Sequence, residues 1–155
     1  MQKLTPFLWF DDDLEEALAF YASVFPDTEV VAASRAGDGP AAPLFMARFR
    51  LLGQELLAIN GGPLFPFTEA FSLFVDCEDQ AEVDRLWEAL TEGGEPGRCG
   101  WLKDRFGLSW QIVPRRLGEL MGDPDPVRAA RVRDAMLAMD RLDVAGLEAA
   151  HAGAA

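Results

Sequence analysis

One pattern occurs twice in this chain, and it restricts the fold more than any other feature. Asp13 precedes apolar residues at helical spacing, Leu14, Ala17, Leu18, Tyr21 and Phe25, with Glu16 in capping-box position. Asp79 precedes Val83, Leu86, Trp87 and Leu90 with Glu82 in the same position. Asp13 aligns with Asp79, Glu16 with Glu82, Tyr21 with Trp87 and Val24 with Leu90, all at one constant offset. An apolar strand leads into each helix: residues 4–10, too continuous in hydrophobicity for a half-exposed strand, and residues 71–75. The spacing therefore predicts two copies of one supersecondary unit, each able to bury only one face alone.

Three further strands complete each unit on the C-terminal side of its helix. In the first copy they are residues 29–34, 44–52 and 55–60, the last two joined at Gly53-Gln54. Residues 36–43 are rich in Gly, Pro and Ala and read as an exposed loop. In the second copy a short strand near 95–98 precedes a hairpin over 100–114, closed by Gly107 and ended by Pro114. Each half reads β-α-β-β-β. The predicted class is α+β, with paired halves of about 1–62 and 69–115 forming one domain over 1–115. The segment between them, through Phe65, Pro66, Phe67 and Thr68, reads as a packed linker.

The remainder, 116–155, reads as a helical appendage: a turn of helix at 117–121, a helix over 127–139, and a last helix capped by Asp143 and running to about 150. Asp125 and Pro126 supply the N-cap and first-turn signal for the second of these. Val132, Met136 and Met139 share one face, which fits packing onto the domain or onto a second subunit. Residues 152–155 read as frayed, and His151, the single histidine, falls beside them.

Charge and cysteine count narrow the partners. A net charge of −12 argues against nucleic acid and an anionic membrane surface as partners, since phosphate binding needs a basic patch. No apolar run reaches the ~20 residues of a membrane span, and the first residues do not read as a signal peptide. Two cysteines, Cys77 and Cys99, are too few and too far apart for a disulfide scaffold or a CxxC site. They read as reduced structural thiols in a cytoplasmic protein.

Candidate site residues gather around the 100–114 hairpin. Trp101 and Lys103 share a strand face, while Asp104 points away and suits a cap for the turn at Phe106-Gly107. Lysine is scarce here, so Lys103 is a candidate cation for a carboxylate or phosphonate ligand, against the plainer reading of a surface lysine. Asn60 ends a strand beside two glycines, where it either meets a ligand or caps the turn. Trp9, Tyr21, Trp87 and Trp110 read as core. A glycine-rich strand-to-helix loop of the nucleotide type does not occur.

Two β-α-β-β-β halves resemble the vicinal oxygen chelate superfamily of glyoxalases, bleomycin-resistance proteins and ring-cleaving dioxygenases. Within it the chain looks like the PhnB-like subgroup, often labelled 3-demethylubiquinone-9 3-methyltransferase. The residues that carry this are Thr5-Pro-Phe-Leu-Trp-Phe10, Ala19-Phe-Tyr21, Asn60-Gly-Gly-Pro63, Phe67-Thr-Glu-Ala70, Val75-Asp-Cys77, Asp79-Gln-Ala-Glu-Val-Asp84, Cys99-Gly-Trp-Leu-Lys-Asp-Arg-Phe-Gly107 and Ser109-Trp-Gln111. The resemblance runs over about residues 3–150. It implies a cupped mixed sheet and a homodimer. In metal-using members, His and Glu from the first and last strands of each half hold a divalent ion. Here those positions fall near Pro6, Ser72, Leu57 and Gln111, none of them a strong ligand.

The resulting expectation is a small-molecule binding protein with no metal and no cofactor, its ligand in a cavity between the halves that is lined by Gln111, Asn60, Trp101 and Lys103. Two rivals stand beside it. One is a metal-dependent lyase or oxygenase using atypical ligands such as Glu69 and Gln111. The other is an interaction module whose cavity is filled by its own side chains.

Overall fold

A computed structural model describes residues 3–154. The elements run β1 (Phe7–Phe10), α1 (Leu14–Val24), β2 (Glu29–Arg35), β3 (Leu44–Leu51), β4 (Gln54–Asn60), β5 (Ser72–Cys77), α2 (Gln80–Thr91), β6 (Glu95–Pro96), β7 (Trp101–Lys103), β8 (Ser109–Pro114), α3 (Arg115–Met121), α4 (Pro126–Leu137) and α5 (Val144–Ala152). The chain divides into two compact units, Met1–Phe67 and Thr68–Ala155, so the three last helices belong with the second half. Each half is the expected β-α-β-β-β unit. The sheets have orders β1-β4-β3-β2 and β5-β8-β7-β6.

In each half the first strand runs parallel to the last, and the remaining pairs are antiparallel. A parallel pair requires a crossover, and the helix supplies it on one face only. In the first half that face carries Leu8, Phe10, Ala47, Phe49, Leu56 and Ala58, all buried with Leu14, Ala17, Leu18 and Tyr21 of α1. Burial of each large side chain contributes about 1.5–3 kcal/mol. The second half repeats this with Val75, Cys77, Leu102, Trp110 and Ile112 beside Val83, Leu86, Trp87 and Leu90.

The strand expected to be covered on both faces is not. Phe7 is half exposed and Trp9 part-buried, alternating with buried Leu8 and Phe10. Trp9 belongs to the linker: its Nε1 donates to Gly62 O at 2.8 Å, and its ring meets Phe65 edge-on at 5.1 Å. A Cβ on Gly61 would run into that indole, so only glycine fits. The linker is packed as its sequence suggests, and Phe67 adds an edge contact to Phe10 at 5.1 Å.

The two helix starts are built differently, although the sequence reads them alike. Asp79 Oδ1 accepts from Glu82 N at 2.9 Å, and Glu82 Oε2 accepts from Glu78 N at 2.7 Å. Asp13 makes no side-chain cap bond. Asn60 takes its place: Oδ1 accepts from Leu14 N at 3.0 Å and Nδ2 donates to Leu44 O at 2.8 Å. At φ −104° and ψ 15° the Asp13 backbone lies outside the extended conformation that Asp79 adopts as a cap. Burial first, then the neighbouring Asp12, Asp11 and Glu16 charges, push the Asp13 carboxyl above its usual range, only partly offset by a backbone hydrogen bond. A neutral amide arriving at the end of β4 serves the helix without adding another negative charge.

The appendage packs within its own chain. Val113 of β8 joins Leu117, Leu120, Val132, Leu142 and Leu147 in one buried cluster, flanked by Met136 and Met139. The cap signals hold: Asp125 accepts from Val127 N at 2.9 Å and Asp143 from Gly146 N at 2.8 Å. Backbone bonds dock it, with Cys99 N donating to Met139 O at 2.8 Å and Gly100 N to Asp140 O at 2.7 Å. The expected fraying is not found among the described residues. Gly153, at φ 76°, closes α5, and His151 Nε2 lies 2.7 Å from Asp123 Oδ2. Arg131 also ties α4 to the carbonyls of Ala150 and His151. Ala155 lies outside the described residues.

Asn60→Ala removes both the cap on α1 and the bond to Leu44, and is expected to cost about 2 kcal/mol in urea unfolding. Asp13→Ala, despite its better cap sequence, stays within about 0.5 kcal/mol.

Candidate functional site

The site lies on the face of the second sheet opposite α2. Alternation along β8 sends Trp110 and Ile112 beneath the helix and leaves Ser109, Gln111 and Val113 on the other face. Pairing extends that face sideways. Trp101 lies opposite Gln111, Lys103 opposite Ser109, and Ser72 opposite Ser109 on the other side. Three of the expected site residues, Gln111, Trp101 and Lys103, therefore share one surface. Asn60 lies in the first half, with both ends of its amide engaged by backbone.

The hairpin that presents this face is held by a buried carboxylate. Asp104 is 2% exposed. Its Oδ1 accepts from Phe106 N at 2.9 Å and Leu108 N at 3.1 Å, which is the expected turn cap. Its Oδ2 accepts from Trp110 Nε1 at 2.9 Å, a contact the sequence reading missed. The signal was available: Trp110 pairs with Leu102, so its indole lies within reach of Asp104, the residue just after β7. Charge-assisted bonds of this kind offset the cost of burying the anion and fix the turn. Gly107 at φ 84° lets the chain reverse there.

Lys103 does not stand alone. Its Nζ lies 2.6 Å from Glu69 Oε1 and 4.0 Å from Glu95 Oε2. The Lys103 hydrogen bond is the chief reason the Glu69 carboxyl falls below the usual carboxylate range, and the same bond raises the Lys103 ammonium above its own. Both charged groups reach water, so the pair is screened and adds little stability. Beside it is a cavity of about 200 Å³, whose walls include Glu69, Glu95, Gly97, Trp101, Lys103 and Ser109. Gly97 permits the close approach of its walls, since a Cβ there would sit 2.7 Å from Trp101 O. Ser109 is 1% exposed, and its Oγ has no hydrogen-bond partner among the described residues.

The positions that the superfamily resemblance marks for metal ligands do meet. In the second half Gln111 Nε2 donates to Ser72 Oγ at 2.9 Å. In the first half Leu57 N donates to Pro6 O at 3.0 Å. The chemistry at these positions is an amide, a hydroxyl, an aliphatic side chain and a proline, which do not fit a divalent ion. Among the described residues no three His, Cys, Asp or Glu side chains gather as a metal-holding group. The corresponding face of the first half carries a second hollow, about 250 Å³, bordered by Ala32, Ser34, Met46, Arg48 and Leu57. Arg48 is paired there with Glu55 at 2.6 Å. Among the described residues no helix is long and apolar enough to cross a membrane.

Of the residues expected in the core, Tyr21, Trp87 and Trp110 are buried there. Both cysteines are free. Cys77 lies under α2, and its thiol is pushed up to about 12, chiefly by burial and next by the Glu82 carboxylate.

A family model described as 3-demethylubiquinone-9 3-methyltransferase matches residues 2–113. That match ends before the helical appendage, which the sequence resemblance had taken in. The PhnB protein from Bacillus cereus is 37% identical, with a TM-score of 0.66, over 73% of this chain and 99% of that one. Protein PA1353 from Pseudomonas aeruginosa is 24% identical, with a TM-score of 0.61, over 74% of this chain and 98% of that one. The fosfomycin resistance protein FosX from Listeria monocytogenes, in complex with Mn(II) and sulfate, shares the fold at 20% identity and a TM-score of 0.52, over 71% of this chain and 89% of that one. A search of curated proteins finds no match.

Two outcomes check this local chemistry. Asp104→Ala takes its acceptor oxygens from the Phe106, Leu108 and Trp110 N–H groups and is expected to lower stability by about 3 kcal/mol, read by urea unfolding, with a changed near-ultraviolet signal from Trp110. With its thiol pushed up to about 12, Cys77 in the folded chain holds far less thiolate at pH 8 than an ordinary thiol. Mass-resolved alkylation should therefore modify Cys77 only after unfolding.

Proposed function

Because the chain belongs to the 3-demethylubiquinone-9 3-methyltransferase family, the PhnB-like group of the glyoxalase and bleomycin-resistance superfamily, we propose that it is a metal-independent small-molecule binding protein whose ligand sits on the open face of the second half. The observation that carries this reading is the Gln111–Ser72 pair, joined at 2.9 Å where a metal-using fold needs anionic or imidazole ligands. A neutral amide bonded to a hydroxyl can orient a polar ligand atom. It cannot neutralise a dication or lower the pKa of a bound water.

The family's methyltransferase name finds no chemical counterpart in this chain. The turns from first strand to helix are Phe10-Asp-Asp-Asp-Leu14 and Cys77-Glu-Asp-Gln80. Both are acidic and lack glycine, the opposite of a nucleotide-binding turn. Glu69, the one carboxylate considered as an atypical metal ligand, is committed to Lys103. A cytoplasmic setting agrees with the two free thiols. A homodimer agrees with the large apolar side chains left exposed on the strands, Phe7, Val30, Phe45 and Phe74 among them.

Zinc, nickel, manganese and iron(II) at 1 mM are expected to shift the melting temperature by less than ~1 °C, because stabilisation follows site occupancy. A fragment library read by tryptophan resonances should give saturable binding that Gln111→Leu weakens about tenfold. A stoichiometric metal retained through purification, and lost in Gln111→Leu, would overturn the reading.

A further inference from the structure

The electrostatics of the cavity beside β7 do not suit the anion that an isolated lysine suggests. Lys103 is already neutralised by Glu69 at 2.6 Å. Glu95 stands 4.0 Å from the same ammonium, beyond hydrogen-bond reach. The walls thus carry two carboxylates and one ammonium, in a chain whose net charge is −12. An anion entering here meets net repulsion, and a cation meets attraction that is strongest at low salt. Trp101 supplies an aromatic surface, which favours a cation further.

The acidic walls alone do not make a site, and Ser109 adds the independent observation. Its hydroxyl is buried, has no partner among the described residues, and lies on the cavity side of β8. A buried hydroxyl with unused lone pairs is costly unless something donates to it. A ligand N–H is such a donor, whereas a quaternary ammonium has none to offer. About 200 Å³ accommodates a head group with a short carbon chain.

We propose that this cavity binds a small organic amine in its protonated form. Its ammonium lies between Glu95 and Trp101 and donates a hydrogen bond to Ser109 Oγ. Lys103 is then a competitor for the carboxylates rather than the anchor of an anionic ligand. The inference rests on the binding reading above and specifies its ligand class, placing the head group in the hollow next to the Gln111–Ser72 pair rather than on the pair itself.

A size-matched set of probes tests it: propylammonium, propionate and propylphosphonate, titrated into the full-length protein at low salt. The amide resonance of Ser109 and the indole resonance of Trp101 report binding. Propylammonium should shift both resonances saturably. Glu95→Gln should weaken it about fivefold and Ser109→Ala about threefold, whereas Lys103→Met should tighten it about threefold. Lys103→Gln repeats that sign if the first variant folds poorly. If propionate or propylphosphonate binds instead and Lys103→Met abolishes it, the amine assignment is overturned while a binding function stands. If none of the three probes binds but library fragments shift Gln111 and Ser72, the assignment again fails alone. If no small molecule of any class binds, both readings fall.

Discussion

Everything in each half depends on the parallel pairing of its first and last strands. Because β1 lies beside β4 and β5 beside β8, the intervening chain must cross over, and a single helix fills that crossing. One face of each sheet is sealed as core, and the other keeps whatever chemistry its alternate positions carry. The same pairing sets Ser72 against Ser109 and brings Gln111 within reach of Ser72. A one-residue slip would exchange Gln111 with Trp110 or Ile112, placing an indole or a branched aliphatic where the amide is and burying the amide under a helix. Site and core are therefore specified by one register.

Much of this is legible in sequence because it is periodic. The repeated Asp, Glu and aromatic positions mark the helices, the alternation of β8 marks its faces, and Asp125-Pro126 and Asp143 mark the helix starts of the tail. The illegible part depends on residues distant in sequence. Asp13 carries the better cap signal, yet Asn60, brought in by strand pairing, takes the role. Lys103 reads as an isolated cation until folding sets Glu69 and Glu95 beside it. His151 reads as part of a loose end until α5 places it on Asp123. Local pattern fixes the elements, and long-range charge decides which polar group serves which purpose.

Likeness of fold leaves the chemistry of a site open. In each half of this chain first- and last-strand positions lie side by side, and what they can hold depends on their side chains. Changing the side chains at such a meeting point alters the chemistry while the backbone scaffold persists, which is why fold alone says little about reaction.

Gln80 connects α2 to the tail in an unusual way. Its Nε2 donates to Leu142 O at 3.1 Å and its Oε1 accepts from Val144 N at 2.7 Å. The side-chain amide thus imitates one step of a β-ladder, satisfying a carbonyl and an amide hydrogen just before α5. The family match stops at residue 113, and the Bacillus cereus protein is used up, to 99% of its length, within 73% of this chain. The three helices thus lie beyond the matched stretch. Gln80, Gly100 and Val113 are where the second unit holds them, through the Gln80 amide, the Gly100 N–H on Asp140 O and the Val113 side chain in their apolar cluster.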